Sequence, residues 1–214
     1  MRLFVVRHGQ TAWNLEGRAQ GHTDIPLDDI GLDQARALAA GFEAEVEITK
    51  VFTSDLLRAS QTAQTLADRL RADLIARVEL RERSFGDFEG KTFARFGPKL
   101  VQLAKDQGIH QMHVTPPNGE TWQQVWDRLE PFTNELRNMQ ENCVVVTHGG
   151  TGSLLMAQLV QGTFETCRSF SFGNTGIMEL ERRPEGFFKI LRYNDTSHLG
   201  RSAALSGSVE GSTR

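Results

Sequence analysis

Cysteine is scarce in this chain of 214 residues, which contains only Cys143 and Cys167. Two cysteines cannot form the disulfide framework that holds many small secreted domains together. Cys143 opens an apolar, β-branched run, so we expect a small buried thiol there rather than a disulfide. A reducing compartment, the cytoplasm, is therefore the expected location.

Long apolar runs are also missing from the sequence. No stretch approaches the roughly 20 apolar residues that a membrane helix needs. The first apolar run, residues 3–6, is short and ends at Arg7, so it lacks the pattern of a signal peptide. The net charge is only −3, which gives no general attraction to nucleic acids or anionic membranes. An anionic ligand would therefore need a local cluster of cations.

Strand patterns and helix patterns alternate along the chain. Apolar or β-branched runs predict strands at residues 3–6, 50–53, 74–80, 143–147, 176–181 and 187–192. Helical spacing predicts helices at residues 11–15, 32–42, 57–70, 93–107, 122–139 and 152–160. This order predicts an α/β fold, a three-layer αβα sandwich with a mainly parallel sheet. We expect one domain over residues 1–199 and a disordered tail over residues 200–214.

Two of the predicted strands end in the same way. The run at residues 3–6 leads into Arg7 and His8, and the run at residues 143–147 leads into His148. Each histidine is followed by glycine. Because ligands of α/β sheets bind outside the carboxyl ends of the strands, both histidines are candidate site residues at one sheet edge.

Arg58 adds a cation to this set. It lies in the first turn of a predicted helix, where the helix dipole disfavours a cation unless an anion is bound. Together with Arg7 and the histidines it would form an anion site, since a guanidinium matches phosphate oxygens in a bidentate manner. Asn14, Gln20 and the backbone N–H of Gly149 could add hydrogen bonds. This composition favours a phosphoryl group, and a carboxylate is the alternative.

The sequence contains no P-loop and no serine elbow of the G-x-S-x-G type. His8 is then the candidate nucleophile, because histidine can form a covalent intermediate. Nearby arginines would lower its pKa and keep the ring neutral. Glu82 would donate a proton to the leaving alkoxide, and His148, if cationic, would stabilise charge on the transferred group.

A metal site is the competing explanation for paired histidines. His110 and His113 have H-x-x-H spacing, but the sequence shows no third ligand, and chance is the better interpretation. Two arginines beside His8 and His148 would repel a metal ion. We therefore expect neither a metal nor another cofactor.

Six segments of the chain resemble the histidine phosphatase superfamily, in the branch of cofactor-dependent phosphoglycerate mutases and related phosphatases. They are VVRHGQT, QGHTDIPLDDIGLDQA, TSDLLRASQTA, LRERSFGDFEG, PPNGETWQQV and VVVTHGG. The similarity runs from residue 3 to about residue 198 in the family's order. The R-H-G triplet alone is a weak signal, whereas six ordered segments identify the chain as a member of this family.

The resemblance implies a role for each candidate residue. His8 would carry the phosphoryl group, and Glu82 would donate the proton. The residues implied to bind phosphate are Arg7, Asn14, Gln20, Gly21, Arg58, His148 and the amide of Gly149. The resemblance also implies a helical lid insertion over about residues 84–120.

The family contains both mutases and phosphatases, which share the transfer to histidine. Three features favour a phosphatase. The chain is shorter than typical mutases, Gln20 stands where mutases usually carry threonine, and RSFGDFEG follows Glu82 where mutases usually carry tyrosine. A mutase is the alternative. A scaffold without activity is less favoured, because the residues whose loss would mark one are all present: His8, Arg58, Glu82 and His148.

Small phosphorylated metabolites are the expected substrates, and neither nucleic acid nor membrane is an expected partner. Fructose bisphosphate, phosphoglycerate and α-ribazole phosphate are alternatives that the sequence does not separate, and a homodimer is left open. Lys91, Arg95 and Lys99 in the implied lid could hold a second phosphate, but a solvated surface is the better interpretation of them.

Overall fold

The computed structural model describes residues 1–42 and 46–200. The predicted disordered tail lies outside the described residues apart from Gly200. The strands in the described part are β1 (Arg2–Arg7), β2 (Lys50–Thr53), β3 (Asp73–Ala76), β4 (Cys143–Thr147), β5 (Ile177–Arg182) and β6 (Phe188–Asp195). The α-helices are α1 (Ala12–Leu15), α2 (Asp29–Gly41), α3 (Leu57–Leu70), α4 (Phe93–Gln107), α5 (Trp122–Asn138) and α6 (Gly149–Leu159).

The strands form one sheet in the order β3-β2-β4-β1-β5-β6. Strands β1 to β4 are parallel to one another, β5 runs antiparallel to β1, and β6 runs antiparallel to β5. A short turn containing Gly186, with φ +87°, joins β5 to β6, and such short connections link antiparallel strands. The predicted mainly parallel sheet is confirmed, with β5 as the reversed strand.

Helices cover both faces of the sheet, as a three-layer sandwich requires. On one face, helices α2 and α3 pack against a core that contains Phe4 and Val144. On the other face, helices α5 and α6 pack against a core that contains Leu3 and Val145. Successive residues of a strand point to opposite faces, so each central strand supplies both cores and reads as an unbroken apolar run. The predicted layers are confirmed.

Strands β1 and β4 bring the two histidines together. They pair in parallel, with Arg7 opposite Thr147. One residue later, the backbone N–H of His8 donates to the carbonyl of Thr147 at 3.0 Å. Since parallel neighbours end at the same edge of a sheet, His8 and His148 follow their strands to one point.

The strand predicted at residues 74–80 is too long. Strand β3 ends at Ala76, and Val78–Leu80 forms a 3₁₀ turn. The reason lies in the neighbouring strand, because β2 ends at Thr53, opposite Ala76. Without a partner the ladder stops, and the turn buries Leu80 in the core.

Helix α6 begins three residues before the predicted start at residue 152. Its first residue is Gly149, directly after His148 as N-cap. Glycine has low helix propensity, which hides this first turn from a pattern of apolar residues. Gly149 and Gly150 therefore lie at the amino end of a helix, where backbone N–H groups have no partner within the helix.

Residues 84–120, which we call the cover segment, lie above the carboxyl ends of the central strands. The segment contains helix α4, and its aromatic residues form a small core with Ala19. In that core the rings of Phe88 and Phe96 stack with centroids 5.3 Å apart. A bridge between Arg18 and Thr92 ties it to the loop that follows β1. Its implied motion as a lid stays a prediction.

Cys143 and Cys167 are both free and buried, so the expectation of a buried thiol at Cys143 is confirmed. Burial raises the pKa of the Cys143 thiol to about 12, which removes thiolate chemistry at neutral pH. Within residues 1–42 and 46–200, no helix is both long and apolar enough to span a membrane.

Candidate active site

His8 and His148 lie side by side at the carboxyl edge of the sheet. Their ring centroids are 5.1 Å apart and the rings meet at 61°. Both side chains are buried. Two buried imidazoles in contact need separate hydrogen-bond partners, and those partners fix which ring nitrogen carries the proton.

The partner of His8 is the carbonyl of Gly9, which lies 2.6 Å from Nδ1. A carbonyl only accepts hydrogen bonds, so Nδ1 carries the proton and Nε2 keeps its lone pair. Burial, followed by the charges of Arg58 and Arg7, lowers the pKa of His8 well below its ordinary value of 6.5. The ring is therefore neutral at physiological pH, in the form that a nucleophile requires.

Gly9 can hold this position only without a side chain. A Cβ atom there would lie 2.6 Å from the carbonyl oxygen of Gly31 on α2. The backbone N–H of Gly9 also donates to Thr62 Oγ1 on α3 at 3.0 Å. Two helices thus fix the peptide that orients the His8 ring.

Arg58 is fully buried in the first turn of α3. Its Nη2 donates to Gly21 O at 2.8 Å and its Nη1 to Thr23 O at 3.1 Å, while Nε points to Nδ1 of His148 at 3.2 Å. Burial lowers the pKa of Arg58 to about 10, so the guanidinium is still cationic at pH 7. A buried cation whose hydrogen-bond partners are neutral is stabilised when an anion binds.

The proton of His148 follows from its contact with Arg58. Because Arg58 Nε donates to Nδ1, the neutral ring carries its proton on Nε2. Nε2 is buried and makes no hydrogen bond to any described residue. An unsatisfied buried donor is costly, and here it lies beside the candidate nucleophile, where a ligand oxygen would satisfy it.

The structure favours a neutral His148, in contrast to the cationic form suggested by the sequence. Burial, followed by the charges of Arg58, His8 and Arg7, lowers the pKa of His148 well below 6.5. The sequence placed these residues together but did not reveal that the Arg58 guanidinium donates to the ring. His148 is thus a neutral hydrogen-bond donor.

Glu82 lies at the amino end of α6. Its Oε2 accepts from Gly150 N at 2.9 Å, and its Oε1 accepts from Arg83 N at 2.9 Å and from Thr151 N and Oγ1 at 3.2 Å each. The one hydroxyl proton of Thr151 is shared between Glu82 Oε1 and Arg81 O, which lies 2.8 Å from Oγ1, and this contact ties the Glu82 segment to the helix. A carboxyl group is thereby fixed beside the two histidines.

A cavity of about 390 Å³ opens above these residues. One set of lining residues, which we call the phosphate pole, consists of Arg7, His8, Arg58, Glu82, His148 and Gly149. Gln20 and Gly21 also line the cavity. Every predicted site residue except Asn14 therefore lies in the lining of one cavity, and their roles stay predictions.

Asn14 lies at α1 instead. Its side-chain oxygen accepts from the backbone N–H of Thr11 at 3.2 Å and from Thr11 Oγ1 at 3.1 Å, as part of a capping box. Asn174 Nδ2 approaches the same oxygen at 3.5 Å. Asn14 thus stabilises the start of α1, and its contact with phosphate stays a prediction.

The apolar part of the cavity lining was not predicted. One side of α4 supplies Phe93, Phe96, Gly97, Leu100 and Val101, which we call the α4 wall. Phe85 and Met112 complete the apolar part of the lining. The Trp122 ring lies next to Gly150 and Glu82, since a Cβ atom at Gly150 would clash with that ring and would be 2.7 Å from Glu82 Oε1. Helical spacing at residues 93–107 was visible in the sequence, but which side of that helix faces a cavity depends on tertiary packing.

Arg83 is a second unpredicted residue, and the charged, glycine-containing stretch RERSFGDFEG around it is typical of a surface loop. Only 3% of it is exposed, and its Nε and Nη2 donate to Glu120 O and Val114 O at 2.7 and 2.6 Å. Its guanidinium lies over the ring of Trp122 at 4.7 Å. Burial lowers the pKa of Arg83 to about 10, and the charge serves to join the two ends of the cover segment.

The predicted H-x-x-H pair has local contacts. His110 Nδ1 accepts from Met112 N at 3.3 Å, and the His113 ring stacks on Phe164 with centroids 5.9 Å apart. In residues 1–42 and 46–200, no group of three or more His, Cys, Asp or Glu side chains is arranged to hold a metal ion.

Comparison with known proteins places this geometry in a family context. The family description "Histidine phosphatase superfamily (branch 1)" matches residues 3–196. The chain is 35% identical to phosphoglycerate mutase-like protein 4 of Arabidopsis thaliana, over 98% of this chain and 91% of that protein. It is 35% identical to the adenosylcobalamin/alpha-ribazole phosphatase of Escherichia coli, over 75% and 79%. The structure of alpha-ribazole phosphatase from Shigella flexneri superimposes with a TM-score of 0.81 and 27% identity, over 92% of this chain and 97% of that chain.

Proposed function

Since the chain belongs to the histidine phosphatase superfamily (branch 1), we propose that it hydrolyses small phosphate monoesters through a phosphohistidine at His8. The observation that carries this proposal is the form of the His8 ring. Its proton is held on Nδ1 by Gly9 O, and burial keeps the ring neutral. Two similar proteins named as phosphatases support the same activity.

The phosphoryl group binds at the phosphate pole. Arg7 and Arg58 supply positive charge, and the buried Nε2–H of His148 donates to a phosphoryl oxygen. The backbone N–H of Gly149, at the amino end of α6, adds a donor where the helix dipole favours an anion. These donors are fixed before the substrate arrives, so they need little reorganisation in the transition state.

Transfer to the enzyme begins when Nε2 of His8 attacks phosphorus. The N–P bond forms as the P–O bond to the leaving group breaks, and protonated Glu82 gives its proton to the departing oxygen. The positive charge that develops on the His8 ring is stabilised by the hydrogen bond from Nδ1 to Gly9 O, 2.6 Å long. The product alcohol then leaves.

Hydrolysis reverses these roles. The Glu82 carboxylate takes a proton from a water molecule whose oxygen attacks phosphorus. The N–P bond breaks, its electron pair returns to Nε2 of His8, and inorganic phosphate departs. Glu82 is again protonated and His8 is again neutral, so the cycle closes without a cofactor.

A mutase is the second candidate, because the similar Arabidopsis protein is named phosphoglycerate mutase-like. Both reactions share the phosphohistidine. They differ in what receives the phosphoryl group, water in a phosphatase and a second position of the substrate in a mutase. Isomerisation of 3-phosphoglycerate without phosphate release would favour the mutase.

The test is phosphate release from a panel of monoesters, combined with intact-mass detection of a phosphorylated protein after brief mixing. We expect both signals in the unchanged chain and neither in His8→Ala. The variant His113→Ala, at an exposed histidine outside the described cavity lining, serves as the control and should keep both. Full turnover in His8→Ala would contradict the proposed nucleophile.

A further inference from the structure

We propose that the physiological leaving group is uncharged and largely apolar, an alkyl or aryl alcohol that lies along the α4 wall. This inference rests on the proposed phosphatase function and adds the class of substrate. It depends on the chemistry of the cavity lining beyond the phosphate pole.

The α4 wall forms one continuous apolar surface. Its residues follow helical spacing, at 93, 96, 97, 100 and 101, so they share one side of the helix. Phe93 is 38% exposed and Val101 is 42% exposed, although both line a concave cavity. Apolar surface left exposed in a cavity is typical of a binding site, and a ligand that covers it gains the hydrophobic contribution.

Gly97 leaves room in this wall. A Cβ atom built there would have no atom within 4 Å, and the residue lies in the lining of the cavity. The phosphate pole lines the same cavity, and the Trp122 ring lies beside Gly150 and Glu82 at that pole. An ester anchored by its phosphoryl group therefore extends its alcohol part into apolar space.

The charges around the cavity provide little attraction for a second anion. Apart from the phosphate pole, the arginines in the described lining are Arg18 and Arg83. Arg18 is paired with Glu16 and donates to Gly90 O at 2.7 Å, and Arg83 donates to two backbone carbonyls. Both cations already have partners that an incoming anion would have to replace.

The three cations of the cover segment that could hold a second phosphate add no attraction for an anion in the cavity. Lys91, Arg95 and Lys99 are not part of the described lining, and Lys91 Nζ donates to Asp87 O. A carboxylate or second phosphate on the leaving group would lose its hydration against Phe93 and Leu100 without a matching cation. The site thus favours neutral esters over bisphosphates and phosphoglycerates.

The test is a ladder of primary alkyl phosphates from ethyl to hexyl, whose leaving groups differ in length but hardly in chemistry. We expect kcat/KM to rise by about fourfold for each methylene that the wall covers, from about 0.8 kcal/mol per buried methylene. Pentyl phosphate is compared with 5-phosphooxypentanoate, its analogue with a terminal carboxylate. We expect the carboxylate ester to be at least about tenfold slower, since an unpaired charge is desolvated.

Two matched variants locate the alkyl chain. Gly97→Leu fills the space in the wall and should reduce the hexyl-to-ethyl ratio of kcat/KM by at least about tenfold, the transfer value of about two methylenes. Ala94→Leu adds the same side chain at an exposed position of α4 and should leave the ratio unchanged. Gly97 precedes Pro98 within α4, and proline disfavours the helical region for a preceding residue that carries a Cβ. Circular dichroism and phosphohistidine formation therefore first establish that Gly97→Leu is folded, and the ladder of the unchanged chain tests the proposal independently of this variant.

Each outcome separates the two proposals. A ladder that is flat or falling, with phosphate release and phosphohistidine intact, would overturn the apolar leaving group and leave the phosphatase. A carboxylate ester as fast as pentyl phosphate would overturn it as well, and so would an equal ratio in Gly97→Leu and Ala94→Leu. Failure of every ester together with the absence of phosphohistidine would instead remove the phosphatase function.

Discussion

The phosphate pole and the α4 wall line one cavity but are built in different ways. The pole consists of charged and polar side chains at strand and helix ends, each held by defined hydrogen bonds. The wall consists of apolar side chains on one helix, and two of them are exposed by more than a third. A pole of this kind fixes the chemistry, whereas the wall can change its residues without disturbing that chemistry.

Loss of Arg58 tests the pole most severely. We expect Arg58→Met to lower kcat/KM by about 10³-fold, because it removes a charged donor that is oriented before substrate binds. The exposed Arg36, paired with Asp33, gives the matched control Arg36→Met, which should retain activity. Steady-state kinetics with one alkyl phosphate measure both, and a loss below tenfold in Arg58→Met would mean that the pole is less rigidly defined than its hydrogen bonds indicate.

Replacement of Glu82 separates proton donation from phosphate binding. In Glu82→Gln we expect primary alkyl esters to slow by about 10²-fold or more, because the leaving alkoxide needs a proton. Aryl esters should slow far less, since an aryl oxide leaves without one. The ratio of the two rates is the measurement, and equal slowing would assign Glu82 to binding alone.

Acid should lower the stability of the fold through the two histidines of the phosphate pole. The pKa values of His8 and His148 are lowered in the folded chain, so below about pH 6.5 the unfolded chain binds more protons than the folded chain. The free energy of unfolding therefore has its full value above that pH. At lower pH it decreases, by up to about 1.4 kcal/mol per pH unit for each histidine. Urea unfolding between pH 7.5 and 5 measures the slope.

The variant His148→Gln sharpens this measurement. Glutamine has no titratable group, so the slope should decrease by the share of one histidine. An unchanged slope in the variant would show that His148 does not control the acid sensitivity.

The smallest effects are expected in the wall. Phe93→Ala should lower the free energy of unfolding by about 1–2 kcal/mol, less than the 3–5 kcal/mol of a fully buried phenylalanine. It should also reduce the hexyl-to-ethyl ratio of kcat/KM. Phe187 has the same 38% exposure but lies outside the described lining, so Phe187→Ala should keep the ratio. An equal decrease of the hexyl-to-ethyl ratio in both variants would contradict the binding of the alkyl chain at the α4 wall.

The pole could be predicted from sequence because its geometry follows from short-range patterns. His8 and His148 each follow a continuous apolar strand, and parallel pairing of those strands puts them side by side. Arg58 was marked by its unfavourable position in the first turn of a helix. The tautomers were not predictable, because they depend on Gly9 O and on Arg58 Nε in three dimensions.

The α4 wall, the partners of Arg83 and the end of β3 could not be predicted, because they depend on residues that are distant in the sequence. Arg83 reads as a surface residue, yet its partners are carbonyls of residues 114 and 120. The end of β3 was missed because it depends on the length of β2. The first turn of α6 was missed because glycines conceal it.

The two ends of the cover segment are tied to each other. The backbone N–H of Glu120 donates to Ser84 O at 3.0 Å, and Ser84 N donates to Glu120 Oε2 at 2.8 Å. Hydrogen bonds from His22, Ser84 and Arg128 overcome the opposing effect of burial and lower the pKa of Glu120 to about 2, so this tie persists across physiological pH. The cost of closing a loop grows only slowly with its length. Residues 85–119 thus leave and rejoin the domain at one point, but Glu89 within them accepts hydrogen bonds from the backbone N–H groups of His22 and Thr23. An exchange of this stretch for another sequence must therefore retain Glu89, because the loop that it holds is the one that Arg58 binds.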